Sequence, residues 1–378
     1  MTPACVADYR DAARRRLPRV LFDYIDGGAY GETTLAANVE DLRRLTLRQR
    51  VLRDVSKLST ATEIFGQALS MPVVLAPIGL AGLYARRGEA QAARAAKAAE
   101  VPFALSTMGI CDLEEVAGAA APPWFQLYMI RDRGFMAELL GRAARAACPV
   151  LLFTVDLPVP GARYRDTRNG MTAHTAGARV ARALDGLRHP RWLWDVHLRG
   201  RPHALGNVAG AEADLDDLSR FWSWTRRNFD PSVTWKDIDW VRDRWPGPIV
   251  LKGILDAQDA KEARRCGVEG VVVSNHGGRQ LDGVASGIAA LPAVVEAVGG
   301  DLTVLMDGGV RSGLDVLKAL AAGAKACLIG RAWAWALGAR GEAGVSHVLA
   351  ILREELHVAM SLTGCTDVRA AGRELLEG

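Results

Sequence analysis

From about residue 70 the chain alternates short apolar, β-branched runs with longer stretches of helical period. The runs are Pro72–Pro77, Phe103–Thr107, Trp124–Tyr128, Val150–Asp156, Ile249–Lys252, Val271–Asn275, Thr303–Asp307 and Ala326–Gly330. Continuous apolar runs of strand length suit strands buried on both faces, as in a parallel sheet. Ala-rich helical segments lie between them, such as Gly88–Glu100 and the stretch ending near Ala147. Eight strands, mostly followed by helices, are the count for an α/β fold of the (β/α)8 barrel type. A doubly wound sheet would carry dinucleotide-binding glycines after its first strand, and Ala76-Pro77-Ile78-Gly79 lacks that fingerprint. Ahead of the alternation, residues from about 3 to 40 read as short helices broken at Pro18 and Gly27-Gly28. The expected organisation is one domain: a helical cap over 1–70, the barrel over 71–156 and 235–340, an insertion over 157–234 after the fourth strand, and a C-terminal helix over 341–378.

Ser106, Gln126, Thr154, Lys252 and Asp307 each fall at the carboxyl end of a predicted strand or just past it. Any one of them reads equally well as a hydrogen-bonded core residue. Five at equivalent ends of five strands predict a polar ring around one barrel mouth, where barrel enzymes keep their active sites. Asp307-Gly308-Gly309-Val310-Arg311 and Gly330-Arg331 follow the last two strands. Glycine-rich loops at those positions bind phosphate through backbone N–H groups and a helix N-terminus.

Composition narrows the class. The 378 residues are 49% hydrophobic and 24% charged, which suits a globular chain with a large core. A net charge of +4 is too mild to indicate nucleic-acid binding. Six scattered cysteines form no Cys-x-x-Cys and no Cys/His cluster, which argues against a disulfide framework or a zinc site. The charged N-terminus is unlike a signal peptide, and no apolar run approaches the ~20 residues needed to span a bilayer.

The insertion is rich in Arg and Trp: Arg179, Arg182, Arg188, Arg191, Trp192, Trp194, Arg199 and Arg201, then Trp222, Trp224, Arg226 and Arg227. Such a mixture suits an anionic membrane surface, or a solvated lid whose aromatics pack on the barrel.

The run Val271-Val272-Val273 leads into Ser274-Asn275-His276-Gly277-Gly278-Arg279-Gln280-Leu281-Asp282. Histidine moves protons near neutral pH, and arginine offers a planar fork to a carboxylate. A base beside a carboxylate clamp points to chemistry on a small acid, although the same string can serve as a simple strand-to-loop turn.

This string resembles the signature of the FMN-dependent α-hydroxy acid dehydrogenase and oxidase family, and the resemblance extends from Tyr9 to the C-terminal helix. It implies FMN at the barrel mouth. Ser106, Gln126, Thr154 and Lys252 match flavin contacts, with the backbone of Pro77, Ile78 and Gly79 running past the ring. Asp307, Gly308, Gly309, Arg311, Gly330 and Arg331 match the ribityl and phosphate contacts. Tyr24, Tyr128, Arg163 and Arg279 match the substrate site: the two arginines on the carboxylate with Tyr24 as a further donor, and Tyr128 on the substrate oxygen. His276 matches the base and Asp156 the carboxylate that orients it. Abstraction of the Cα proton and hydride transfer with loss of the hydroxyl proton both remain open.

Gly79 stands where glycolate oxidase-like members carry Ala, and Met108 where they carry Trp, which leaves a roomier site. The strings Phe22–Tyr30, Tyr84–Glu89 and Asn228–Ser232 are similar to the bacterial respiratory, quinone-linked L-lactate dehydrogenase branch. The resemblance thus implies oxidation of L-lactate to pyruvate, electron transfer to a membrane quinone, peripheral attachment to the inner face of the cytoplasmic membrane, and a homo-oligomer such as a tetramer. An oxygen-using oxidase, a dehydrogenase of a bulkier acid such as mandelate, and a catalytically silent scaffold barrel are the alternatives.

Overall fold

The computed structural model describes residues 2–172, 175–201, 203–208 and 218–377. A hairpin, β1 (Thr62–Ile64) and β2 (Gln67–Leu69), precedes eight parallel strands. These are β3 (Val73–Leu75), β4 (Ala104–Ser106), β5 (Trp124–Leu127), β6 (Leu151–Thr154), β7 (Ile249–Ile254), β8 (Gly270–Val273), β9 (Thr303–Asp307) and β10 (Ala326–Ile329). Neighbours pair in chain order from β4 to β10, and β10 returns to β3. A parallel bridge from Leu75 to Phe103, just ahead of β4, completes the circuit. The (β/α)8 barrel read from the alternation is the fold, and the insertion leaves after its fourth strand, β6.

The strands are apolar throughout because both faces are covered. Val74, Leu152, Val250, Val272, Leu305 and Leu328 fill the barrel interior. Alternate residues such as Leu75, Leu151, Leu251 and Val271 pack outward against the helices. The hairpin plugs the amino end of the strands. Its Phe65 meets Trp124 edge-on at 5.8 Å, and a Cβ at Gly270 would lie 2.9 Å from the Phe65 ring. The carboxyl end is left as the mouth.

Helices Val6–Arg16, Arg19–Asp26 and Thr33–Arg44 form the N-terminal cap. Arg10 grips the buried Asp26 with two hydrogen bonds, of 2.5 and 2.8 Å. From the insertion, Arg165 reaches the same Asp26 at 2.8 Å and Glu32 at 2.5 Å. The helix Arg331–Thr363 continues from the last barrel strand to the C-terminal region, with a kink at Arg340 and Gly341.

The insertion is largely helical: Tyr164–Arg168, Ala176–Leu187, a short turn of helix from Pro190 to Leu198, and Leu218–Asn228. The side chains of Arg179 and Trp222 lie outside the described residues. Two of the tryptophans expected at a membrane surface face the protein instead. Trp224 is fully buried, and Trp192 is partly buried with its indole donating to the Leu83 carbonyl at 2.8 Å. Each finds more apolar partners against the barrel than solvent offers. Trp194 is 61% exposed. No helix among the described residues is long and apolar enough to cross a membrane.

The segment Leu205–Val208 returns to the barrel. Asn207 is fully buried, accepts from the Leu113 amide at 2.9 Å and donates to the Ser106 carbonyl at 3.2 Å. Asn207→Ala orphans a buried N–H and should destabilise the protein by about 1–3 kcal/mol. Thermal unfolding checks this, and an unchanged melting temperature would mean that the return segment is not held there.

Candidate active site

The strand register places the polar strand ends in one layer. Ser106 pairs with Gln126, and Thr154 with Lys252. The Ser106 hydroxyl donates to Gln126 Oε1 at 2.9 Å, and Gln126 Nε2 donates to Thr154 Oγ1 at 3.0 Å. Lys252 Nζ lies 2.8 Å from Asp307 and donates to Ser274 Oγ at 3.0 Å. All are buried. Burial alone would discharge Lys252, but Asp307 and Asp156 outweigh it and raise its pKa, so the ammonium stays charged. The second Asp307 oxygen, Oδ1, is buried without a hydrogen-bond partner among the described residues.

His276 sits at the end of the loop leaving β8, in the left-handed backbone region at φ 58°. Its amide donates to Ser274 Oγ at 3.0 Å, which helps hold this conformation. Its Nδ1 faces Asp156 Oδ1 at 2.9 Å, and its Nε2 faces the Tyr128 hydroxyl at 3.5 Å. Burial pushes the imidazole below its ordinary value, more than the facing Asp156 lifts it. Asp156 would be raised by burial, but His276 outweighs that and holds it low. The pair is therefore a carboxylate and a neutral imidazole at neutral pH. Gly253 makes room for it, in a bulge of β7 at φ 115°. A Cβ there would lie 2.5 Å from the Asp156 Cβ.

Arg163 and Arg279 both stack on the Tyr24 ring, at 5.6 and 4.8 Å from its centroid. Arg279 Nη1 donates to the Tyr24 and Gly27 carbonyls at 2.5 and 3.0 Å. Burial and the neighbouring Arg279 lower the pKa of Arg163. Two guanidiniums this close, beside a neutral imidazole, make an electropositive pocket suited to a small carboxylate.

Gly308 and Gly309, at φ 88° and 89°, turn the chain after β9 beneath Asn38, where a Cβ on Gly309 would lie 1.9 Å from the Asn38 carbonyl oxygen. Arg311 follows; burial pushes its guanidinium down to about 10, and it makes no ion pair among the described residues. Gly330 is the N-cap of the next helix. Arg331 turns its guanidinium away, to the Ile25, Gly27 and Gly277 carbonyls. What it offers an anion beside the glycine loops is its backbone N–H at the helix start. Pro77, Ile78 and Gly79 line the same cavity, and a Cβ on Gly79 would approach the Met108 Cβ to 3.2 Å.

The cavity is also lined by Tyr84, Leu157, Thr225 and Phe229, which the sequence did not place there. Tyr84 donates to the Gly79 carbonyl at 3.2 Å. Phe229 packs on Tyr128 with ring centroids 5.0 Å apart. Thr225 and Phe229 come from the end of the insertion, and the only hint was the string Asn228–Ser232. No cluster of metal-ligating side chains occurs among the described residues.

A partly buried Arg311 that makes no ion pair among the described residues, glycine turns, a helix N-terminus and a buried chain of polar strand ends fit a phosphate-bearing flavin. A model of the FMN-dependent dehydrogenase family matches residues 13–378. The chain is 58% identical over 377 residues to an L-lactate dehydrogenase of a Caulobacter species, covering 100% of this chain and 99% of that protein. It is 56% identical to the L-lactate dehydrogenase of Acinetobacter baylyi, covering 96% of this chain and 94% of that one. Among solved structures, the monotopic membrane protein (S)-mandelate dehydrogenase is similar with a TM-score of 0.92 and 36% identity, covering both chains fully. A mandelate oxidase is similar at 0.84 and 40%, covering 100% of this chain and 98% of that one.

The role of Gly253 is open to a direct check. Gly253→Ala should push Asp156 off the ring and remove the partner that favours imidazolium. The His276 NMR titration should then move to lower pH. An unchanged titration in a folded variant would show that the pair does not depend on the bulge.

Proposed function

The chain belongs to the FMN-dependent dehydrogenase family, and from that premise we propose that it oxidises L-lactate to pyruvate at the mouth of the barrel. The observation that carries this reading is His276, with its Nδ1 2.9 Å from Asp156, beside the guanidiniums of Arg163 and Arg279 stacked on Tyr24. The arginines bind the substrate carboxylate, and Tyr24 adds a donor. That fixes the acid with its hydroxyl-bearing carbon toward His276 and Tyr128. His276 Nε2 takes a substrate proton, and Asp156 stabilises the imidazolium that results. Tyr128 hydrogen-bonds the substrate oxygen.

FMN, when bound, accepts the two electrons that the acid gives up. Ser106, Gln126, Thr154 and Lys252 would hold its ring edge, where the Lys252 ammonium favours added electron density. Asp307 and Gly308 would hold the ribityl chain. Gly309, Arg311, Gly330 and the Arg331 amide would hold the phosphate.

Substrate size is the point on which a second reading rests. Gly79 and Met108 replace larger side chains of the glycolate oxidase-like members at the cavity wall, and the similar solved structures include mandelate enzymes. The relatives named for L-lactate are closer in sequence and span the chain. Anaerobic bleaching of the visible flavin band with L-lactate, glycolate and (S)-mandelate decides between them. L-lactate should give the highest ratio of reduction rate to dissociation constant, and a higher ratio for mandelate would reverse the assignment. His276→Gln should retain FMN and slow the reduction about 10²–10⁴-fold.

Electrons then pass to a quinone in the membrane, with the protein peripheral on the inner face of the cytoplasmic membrane. Val180, Leu184 and Leu187 form an exposed stripe on one helix face, and Trp194 and Leu198 are exposed in the helical turn that follows. Arg188, Arg191, Arg199 and Arg201 are exposed in the same segment. Each basic residue near an anionic surface contributes about 1 kcal/mol, and salt screens it. Serine at these four arginines should release the protein from anionic vesicles while dye reduction by lactate persists. Sedimentation at low and high salt is the readout. Wild-type protein that stays in the supernatant at low salt would rule out this surface as an anchor.

A further inference from the structure

The loop after β9 and the helix after β10 meet at Trp335. This residue is 4% exposed, and its indole Nε1 is buried without a hydrogen-bond partner among the described residues. Other indoles in the protein are satisfied: Trp124 donates to Gln67, Trp245 to the Pro248 carbonyl, and Trp333 to the Ala76 carbonyl. A buried N–H without an acceptor is unfavourable, and a phenylalanine at the same place would avoid that penalty. The orphan therefore asks for an acceptor that the protein itself does not supply.

Its position says which acceptor. Helical side chains lean toward the helix N-terminus, so Trp335 covers the turn that begins at Gly330 and Arg331. One guanidinium, of Arg311 from the preceding loop, lies over the ring at 4.9 Å from its centroid. Another, of Arg10, lies at 5.8 Å. Trp335 shares a cavity of about 680 Å³ with Arg10, Arg311 and Arg331 and with the carboxylates of Asp26, Glu32, Asp315 and Glu355, and Arg311 and Arg331 also line the cavity assigned to the flavin. The indole thus lies against Arg311, one of the residues to which the FMN phosphate is assigned, and stands on the helix whose first amide is another.

We propose that Trp335 is a ligand of the phosphate end of the cofactor. Its Nε1–H donates to a phosphate oxygen, and its ring face holds Arg311 in position to pair with the same group. The inference rests on FMN as the cofactor and not on the identity of the hydroxy acid.

The test compares FMN with riboflavin, which lacks the phosphate. Binding to the full-length apoprotein is followed by quenching of flavin fluorescence. Trp335→Phe keeps an aromatic platform and loses the donor. A hydrogen bond to a charged group is worth about 1.5–3 kcal/mol, so the FMN dissociation constant should rise at least about tenfold while that for riboflavin stays put. Trp335→Leu, which also loses the platform, should weaken FMN further. Wild-type FMN affinity in Trp335→Phe would overturn the proposal, as would an equal loss for both flavins. A measurement on the wild type does not depend on how the variants fold. In ¹⁵N-labelled protein, one indole N–H resonance should move downfield with FMN and not with riboflavin; if none does, the proposal fails.

Discussion

The hydrogen bond between Asp156 and His276, partly buried, is the contact around which the barrel mouth is arranged. A carboxylate at this depth would protonate without opposite charge nearby. Lys252 supplies that charge and the neutral His276 a hydrogen bond, and Lys252 is itself held charged by Asp307. Each charged group in this chain depends on the next, so the site holds a base, a carboxylate and a cation together at neutral pH. The bulge at Gly253 is the backbone feature that lets the carboxylate reach the ring.

The arginines solve a second problem, which is how to keep guanidiniums buried before an anion arrives. Arg279 and Arg331 both donate to carbonyls near the C-terminal end of the helix Arg19–Asp26, at Tyr24, Ile25 and Gly27. Those carbonyls lack partners within the helix and lie at the negative end of its dipole. The N-terminal cap is therefore part of the site and not a separate cover. Arg165, two residues beyond Arg163, fastens the insertion to Asp26 at the end of the same helix.

The barrel was legible because buried parallel strands are apolar on both faces and end in recognisable polar residues. The layer formed by Ser106, Gln126, Thr154 and Lys252 follows directly from strand register. Side-chain direction was not legible. Arg331 follows Gly330 where the sequence put it, at the start of the helix, but its fork is taken by the carbonyls of Ile25 and Gly27, remote in sequence, and of Gly277. The insertion hid more. Trp192, Trp194 and Trp224 look alike in sequence, and only tertiary packing separates the buried one from the exposed one. Asn207 and Phe229 belong to the same class, since their partners at Ser106, Leu113 and Tyr128 are remote in sequence. The exposed stripe of Val180, Leu184 and Leu187 has helical spacing that would equally suit a core face.

The central claim is that Asp156 sustains His276 as the base for oxidation of the acid. It is tested most directly by the rate of anaerobic flavin reduction in Asp156→Asn and wild-type protein across pH, at saturating L-lactate. Removing the carboxylate lowers the proton affinity of the imidazole and withdraws support from the imidazolium formed in the reaction. The account predicts that the variant keeps FMN, reduces it at least about tenfold more slowly, and shows its acid limb at lower pH than the wild type. Reduction at the wild-type rate with an unmoved acid limb would contradict it.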